Sequence, residues 1–161
     1  VAKRLKLVMP KLALKIPPLA VLLLVAVLMG VIARWLDTGE TYSTWQGLLL
    51  MLFVVAGLTI IGVAVFTLYK METTVDPRNP GLSTKLVTVG LYNYSRNPVY
   101  LGLFLLLLAW NIHLSSFYAC AGLPLFIWAI TQLQIVPEEQ QLGDKFGTDY
   151  IDYCAAVRRW L

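Results

Sequence analysis

The chain has 161 residues, 58% of them hydrophobic and 14% charged, with a formal net charge of +4 and a mean hydropathy of +0.71. Soluble domains average roughly 45–50% apolar and about 25% charged residues, so this composition excludes an ordinary water-soluble domain and indicates an integral membrane protein. The positive excess suits orientation in a bilayer and attraction to anionic lipid, and nucleic acid is not an expected partner.

Residues 1–15 are basic and leucine-bearing, with Pro10 interrupting them, which predicts a segment lying on the cytoplasmic membrane surface. A first span follows at 16–36. Its apolar run is longer than a signal-peptide core, so it is expected to be a permanent helix. Asp37, Thr38, Gly39 and Glu40 predict an outer loop, and Trp35, Tyr42 and Trp45 stand where interfacial aromatic belts form. A second span covers 46–69. Residues 70–97 form the longest polar stretch between spans, and a compact protein rarely keeps so much irregular chain without a use for it.

The apolar region 98–136 is about twice too long for one crossing, since roughly 20 helical residues span the hydrocarbon. Asn111, His113, Ser115 and Ser116 interrupt it. It is therefore expected to be a tight hairpin of two helices, 98–112 and 115–136. Of the thirteen basic residues, five precede the first span, four lie between the second and third, three follow the fourth, and only Arg34 falls on the other side. Lys and Arg are retained on cytoplasmic flanks, so four spans with both termini in the cytoplasm satisfy the count. The whole chain is then one all-α membrane domain.

The tail, 137–161, opens with Pro137 and the pair Glu138 and Glu139, which are expected to close helix four. Gly147 is a candidate break before a second tail helix at Thr148 or Asp149. Phe146, Tyr150, Tyr153 and Val157 recur at spacings of four, three and four, giving the tail one apolar, dockable face. Cys120 and Cys154 fall on opposite sides of the membrane in this topology, so no internal disulfide is expected. A lone His113 is expected to be an interfacial polar residue, and no metal site is expected.

Arg96, Asn97, Pro98 and Tyr100 open helix three at the same membrane face where Glu138 and Glu139 close helix four. Carboxylates at a helix C-terminus oppose the macrodipole and repel each other. Ionisable groups at membrane depth are costly, which favours a functional pocket between Arg96 and the two acids.

The order LVTVGLYNYSRNPVYLG, then a membrane hairpin, then PEEQQLGDKFGTDYIDYCAAVRRWL, resembles the isoprenylcysteine carboxyl methyltransferase and phospholipid methyltransferase superfamily of integral membrane enzymes, most of all its short bacterial branch. The resemblance covers about residues 72–161 and includes Gly90 and Tyr92, the Phe146-Gly147-x-x-Tyr150-x-x-Tyr153 run, and the closing Val157-x-Arg159-Trp160. It implies S-adenosylmethionine as methyl donor, S-adenosylhomocysteine as product, and a site at the cytoplasmic face of a bacterial inner membrane without a Rossmann domain. The implied cofactor contacts are Lys85, Leu86, Val87, Gly90, Tyr92, Arg96, Asn97, Pro98, Val99, Tyr100, Glu138 and Glu139.

Arg96 suits a carboxylate, the acids suit ribose hydroxyls or a sulfonium, and tyrosines suit adenine or the cation. Arg96, Asn97 and Glu138 are expected to position rather than to attack, because in-line methyl displacement needs alignment and exclusion of water, not a protein nucleophile.

Two positions depart from the family pattern. Asn97 stands where most members carry a histidine, and an amide cannot titrate near neutrality. Gln134, the candidate substrate residue, replaces an arginine that meets the substrate carboxylate in the eukaryotic prenylcysteine branch, which opens the way to a neutral or amine acceptor. The expected partner is a lipophilic or lipid-borne acceptor. A phospholipid N-methyltransferase and a non-catalytic membrane scaffold remain as alternatives.

Overall fold

The computed structural model describes residues 14, 16–36, 43–71 and 85–161. Apart from Leu14, the basic surface segment lies outside the described residues, as do the 37–40 turn with Tyr42 and the 72–84 part of the polar loop. Among the described residues there are helices and no strand. They are α1 (Pro18–Leu36), α2 (Thr44–Lys70), α3 (Pro98–Leu114), α4 (Gly122–Ile130), α5 (Val136–Phe146) and α6 (Thr148–Ala156).

α2 starts two residues before the expected 46 because Ser43 and Gln46 form a reciprocal capping box. The Ser43 N–H donates to Gln46 Oε1 at 2.7 Å and the Gln46 N–H to Ser43 Oγ at 3.4 Å, satisfying two of the orphan donors at a helix start. Pro98 opens α3, where a missing N–H costs nothing. Ser115 closes it in the left-handed region at φ 50°, so α3 runs two residues past the expected 112.

The fourth span departs most from expectation. It does not stop at 136: after a 3-10 turn at Tyr118–Ala121, α4, a π-turn over Thr131–Ile135 and α5 follow without a break, and the apolar span runs over Tyr118–Phe146 for 29 residues. Pro137 would normally clash with the carbonyl four residues back and withdraw a donor. Here the Val136 N–H bonds back to the Thr131 carbonyl, and this wider turn accommodates the proline within the helix. The Leu133 carbonyl, which Pro137 cannot serve, accepts the Leu14 N–H at 3.0 Å. Glu138 and Glu139 consequently sit in the first turn of α5, not at a helix C-terminus, and the macrodipole conflict expected of them does not arise.

Packing also differs from a tight α3–α4 hairpin. α3 lies chiefly on α2, where Gly57 and Gly102 bring the backbones together: a Cβ on Gly102 would stand 2.8 Å from the Gly57 carbonyl oxygen. α4 lies chiefly on α1, with Gly122 against Met29. Trp110 of α3 donates its indole N–H to the Ala26 carbonyl of α1 at 2.9 Å. The central core gathers Val25, Met29, Leu107, Phe126, Ile130 and Ile135.

Outside that core, Leu24, Val27 and Val31 of α1 and Leu48, Leu52, Val55 and Leu58 of α2 are exposed. Each would gain about 1.5–3 kcal/mol by leaving water, so these faces fit a hydrocarbon solvent. Three helices, α1, α2 and the long fourth element, are long and apolar enough to cross a membrane, and α3 is a shorter apolar helix of 17 residues.

Candidate functional site

α2 and α3 are antiparallel: Gln46 at the start of α2 donates to Ser115 at the end of α3 at 3.1 Å. The C-terminal end of α2 and the N-terminal end of α3 therefore share the other end of the bundle. There Gly90, at φ 64°, turns the chain into a 3-10 turn at Gly90–Asn93. Val87 and Tyr92 are buried against Ala64, Leu68 and Val99.

The last helix closes the arrangement. Gly147, at φ 55°, ends α5 with its N–H on the Gly143 carbonyl at 2.9 Å and lets α6 start at Thr148. α6 and the residue after it then bury Tyr150, Tyr153 and Val157 against Leu86, Leu142 and Phe146. The Tyr153 hydroxyl donates to the Tyr92 carbonyl at 2.7 Å, tying this helix to the loop. After α6 the chain passes beside the start of α3: the Arg96 N–H donates to the Arg158 carbonyl at 3.1 Å and Asn97 Nδ2 to the Arg159 carbonyl at 2.9 Å.

Between these elements lies an open cleft with about 550 Å³ of space between atoms, counting the solvent at its mouth. Eight of the residues expected in the site line it: Lys85, Leu86, Val87, Tyr92, Arg96, Asn97, Glu138 and Glu139. Gly90, Pro98 and Val99 do not, since Gly90 shapes the turn, Pro98 is buried at the helix start, and Val99 packs beneath Val87 and Tyr92. Tyr100 is buried behind the cleft, and its hydroxyl donates to Glu138 Oε1. Gln134 is not in the lining either: its side chain is fully buried, Nε2 donates to the Ile16 carbonyl at 2.6 Å, and Oε1 has no partner.

The charges converge on Glu139. Arg159 grips it with both ends of its fork, Nε to Oε1 at 3.0 Å and Nη2 to Oε2 at 2.6 Å, while Arg96 Nη1 approaches Oε1 at 3.2 Å. Arg96 Nη1 also donates to Cys154 Sγ, and its Nε is buried without a partner. The hydrogen bond to Glu139 holds the Arg159 pKa above its ordinary value.

Burial raises the Tyr92 and Tyr150 hydroxyls well above the usual tyrosine range. Burial likewise pushes Tyr153 up to about 12, with nearby Arg96 opposing the shift. All three phenols are thus neutral donors at physiological pH. Leu68, Leu142, Tyr150 and Tyr153 complete the lining. The periodic tail tyrosines were visible as an apolar face, but nothing local placed them in a cleft 50 residues or more along the chain from Arg96.

This set of groups can receive a ligand that combines an anionic end, hydroxyls and a flat apolar part. Guanidinium and carboxylate supply charge-assisted hydrogen bonds, and leucine, valine and tyrosine supply walls. Comparison with known proteins identifies a family. A Haemophilus influenzae protein described as uncharacterized is 48% identical over 63 residues, which is 39% of this chain and all of that one. The protein-S-isoprenylcysteine O-methyltransferase of Schizosaccharomyces pombe is 35% identical over 68 residues, 42% of this chain and 29% of the yeast enzyme. No solved structure matches the chain. The model of the phospholipid methyltransferase family matches residues 43–149, more than half of the chain and most of the cleft, and the protein belongs to that family.

Proposed function

We propose that the chain is an S-adenosylmethionine-dependent membrane methyltransferase that acts on a small lipophilic or lipid-borne acceptor at the cytoplasmic face, with four spans and both termini in the cytoplasm. The observation that carries this reading is the convergence of Arg96, Glu138 and Glu139 around one cleft at a single end of the bundle. The residues fit the donor: the Arg96 guanidinium at the cleft wall suits the carboxylate of its amino-acid end, Glu138 suits ribose hydroxyls or the sulfonium, and Leu68, Leu86 and Val87 suit the adenine face.

When bound, the donor supplies a methyl group already attached to a good leaving group. The chain's own work is then to bind, align and exclude water. Tyr100 holds the Glu138 carboxyl in place. Asn97 fixes the C-terminal segment beside the helix mouth and is a positioning residue rather than a proton acceptor. Gln134, buried against Ile16 and outside the cleft lining, does not carry the choice of acceptor.

Action on a phospholipid amine is the second reading, favoured by the family whose model matches. Calorimetry of the purified chain in detergent tests the first: S-adenosylhomocysteine should bind, and Glu138→Gln or Arg96→Ala should abolish binding. No binding by the intact chain refutes it. Incubation with methyl-labelled donor and a lipid extract, read by mass spectrometry, then identifies the acceptor. Binding with no transfer to any component would assign the chain instead to a non-catalytic membrane protein.

A further inference from the structure

Glu139 holds two guanidinium groups, and the two are held differently. Arg159 meets both carboxylate oxygens, at 3.0 and 2.6 Å, in the planar fork geometry that makes such pairs strong. Arg96 meets one oxygen through a single nitrogen at 3.2 Å, and that oxygen already accepts from Arg159 Nε. Two cations share one carboxylate here, and the neighbouring Glu138 is engaged by Tyr100. The weaker of the two contacts to Glu139 belongs to the arginine that lines the cleft and carries a buried, unpartnered Nε.

Arg159 does not depend on the Arg96 side chain for its place. Its carbonyl accepts from Asn97 Nδ2 at 2.9 Å and the preceding carbonyl accepts from the Arg96 backbone N–H at 3.1 Å. The end of the chain is thus stitched to the backbone of the helix mouth, and the Arg159 side chain reaches Glu139 from outside.

From this geometry we propose that Arg159 is a positioning residue that holds Glu139 so that the Arg96 guanidinium is available to an anionic group of the methyl donor. Were Arg159 absent, Glu139 would have Arg96 as its remaining ion-pair partner among the described residues. A carboxylate on the incoming ligand would then compete with a carboxylate of the protein for one guanidinium. The inference rests on the donor assignment above and adds to it a residue and a reason.

The test compares two nucleosides that differ at the relevant group. S-adenosylhomocysteine carries an amino-acid carboxylate and 5′-methylthioadenosine carries none. Calorimetry on the full chain in detergent should show Arg159→Ala weakening S-adenosylhomocysteine by about ten- to a hundredfold, the range of one charge-assisted contact. Its affinity for 5′-methylthioadenosine should stay within about twofold of the wild type, since that ligand does not ask for Arg96. Arg159→Lys should fall between, because an ammonium cannot reproduce the fork.

In a Glu139→Gln background, whatever its own affinity, adding Arg159→Ala should no longer change the ratio of the two nucleosides' affinities, since a neutral amide does not retain Arg96. Equal loss for both nucleosides, or a shift of their affinity ratio in the Glu139→Gln background as large as in the wild type, overturns the proposal by assigning Arg159 a general structural role. Unchanged S-adenosylhomocysteine affinity in Arg159→Ala overturns it as well. Should Arg159→Ala not fold, Arg159→Lys with and without Glu139→Gln makes the same comparison. Failure of the wild type to bind either nucleoside is a different result, which removes the donor assignment itself and this inference with it.

Discussion

Substituting Gly102 by alanine tests whether the α2–α3 contact sets the geometry of the cleft. A Cβ at Gly102 would stand 2.8 Å from the Gly57 carbonyl oxygen and 2.5 Å from Ile61 Cγ1. The isoleucine can turn away, but the carbonyl is backbone and cannot. Relieving 2.8 Å to an ordinary contact of about 3.5 Å requires α3 to retreat by roughly 0.7 Å, and overpacking of this kind costs about 1–3 kcal/mol.

Two residues before Gly102, Tyr100 donates to Glu138, and a site tolerates displacement of only about 0.5 Å before its geometry fails. Gly102→Ala should therefore lower stability in a detergent-denaturant titration and also weaken nucleoside binding. Gly62→Ala is the matched control: nothing lies within 4 Å of its Cβ position, and alanine gains about 0.5–1 kcal/mol over glycine inside a helix. Equal stability of the Gly102 and Gly62 variants would refute the close-contact reasoning. A destabilised Gly102→Ala with unchanged binding would refute the link between that contact and the cleft.

Tyr100→Phe removes the donor to Glu138 and should weaken S-adenosylhomocysteine binding by roughly tenfold, corresponding to about 1–1.5 kcal/mol for one hydrogen bond, as calorimetry would measure. Pro137→Ala restores an N–H that can compete with Leu14 for the Leu133 carbonyl. Conversion of the π-turn to regular helix would rotate Glu138 and Glu139 by about 100° relative to Ile130 and the rest of α4, so binding should fall while the helical circular dichroism stays intact. Burial holds Tyr92, Tyr150 and Tyr153 above the tyrosine value of 10.0. An acid whose folded pKa is raised contributes its full stability below the unfolded pKa and loses it above. Docking of α6 should therefore weaken from about pH 10 upward, with tyrosinate absorbance rising as the helix detaches. An absorbance rise without detachment would refute the coupling.

Much of this architecture follows from sequence alone, because membrane burial and chain breaks are local properties. Apolar runs of sufficient length mark α1 and α2, since every backbone polar group in hydrocarbon must be satisfied within its own helix. The break at Gly147 is local too, because a residue with φ near 55° favours glycine. The Ser43–Gln46 capping box is equally available in the letters of the sequence, though Ser43 lies outside the apolar run that defines the span.

What the letters could not decide is how distant segments complete one another. Pro137 signals a helix end, yet the helix continues, because a π-turn takes up its missing donor and Leu14, more than 100 residues away, serves the carbonyl left over. The acids thereby move from a helix end into the first turn of α5, and Gln134 into the core against Ile16. Arg159 stands in an ordinary basic tail until the C-terminal segment is laid beside Asn97. Which arginine grips a carboxylate and which is left for a ligand depends on contacts tens of residues apart along the chain, and such contacts exist only once the helices have packed.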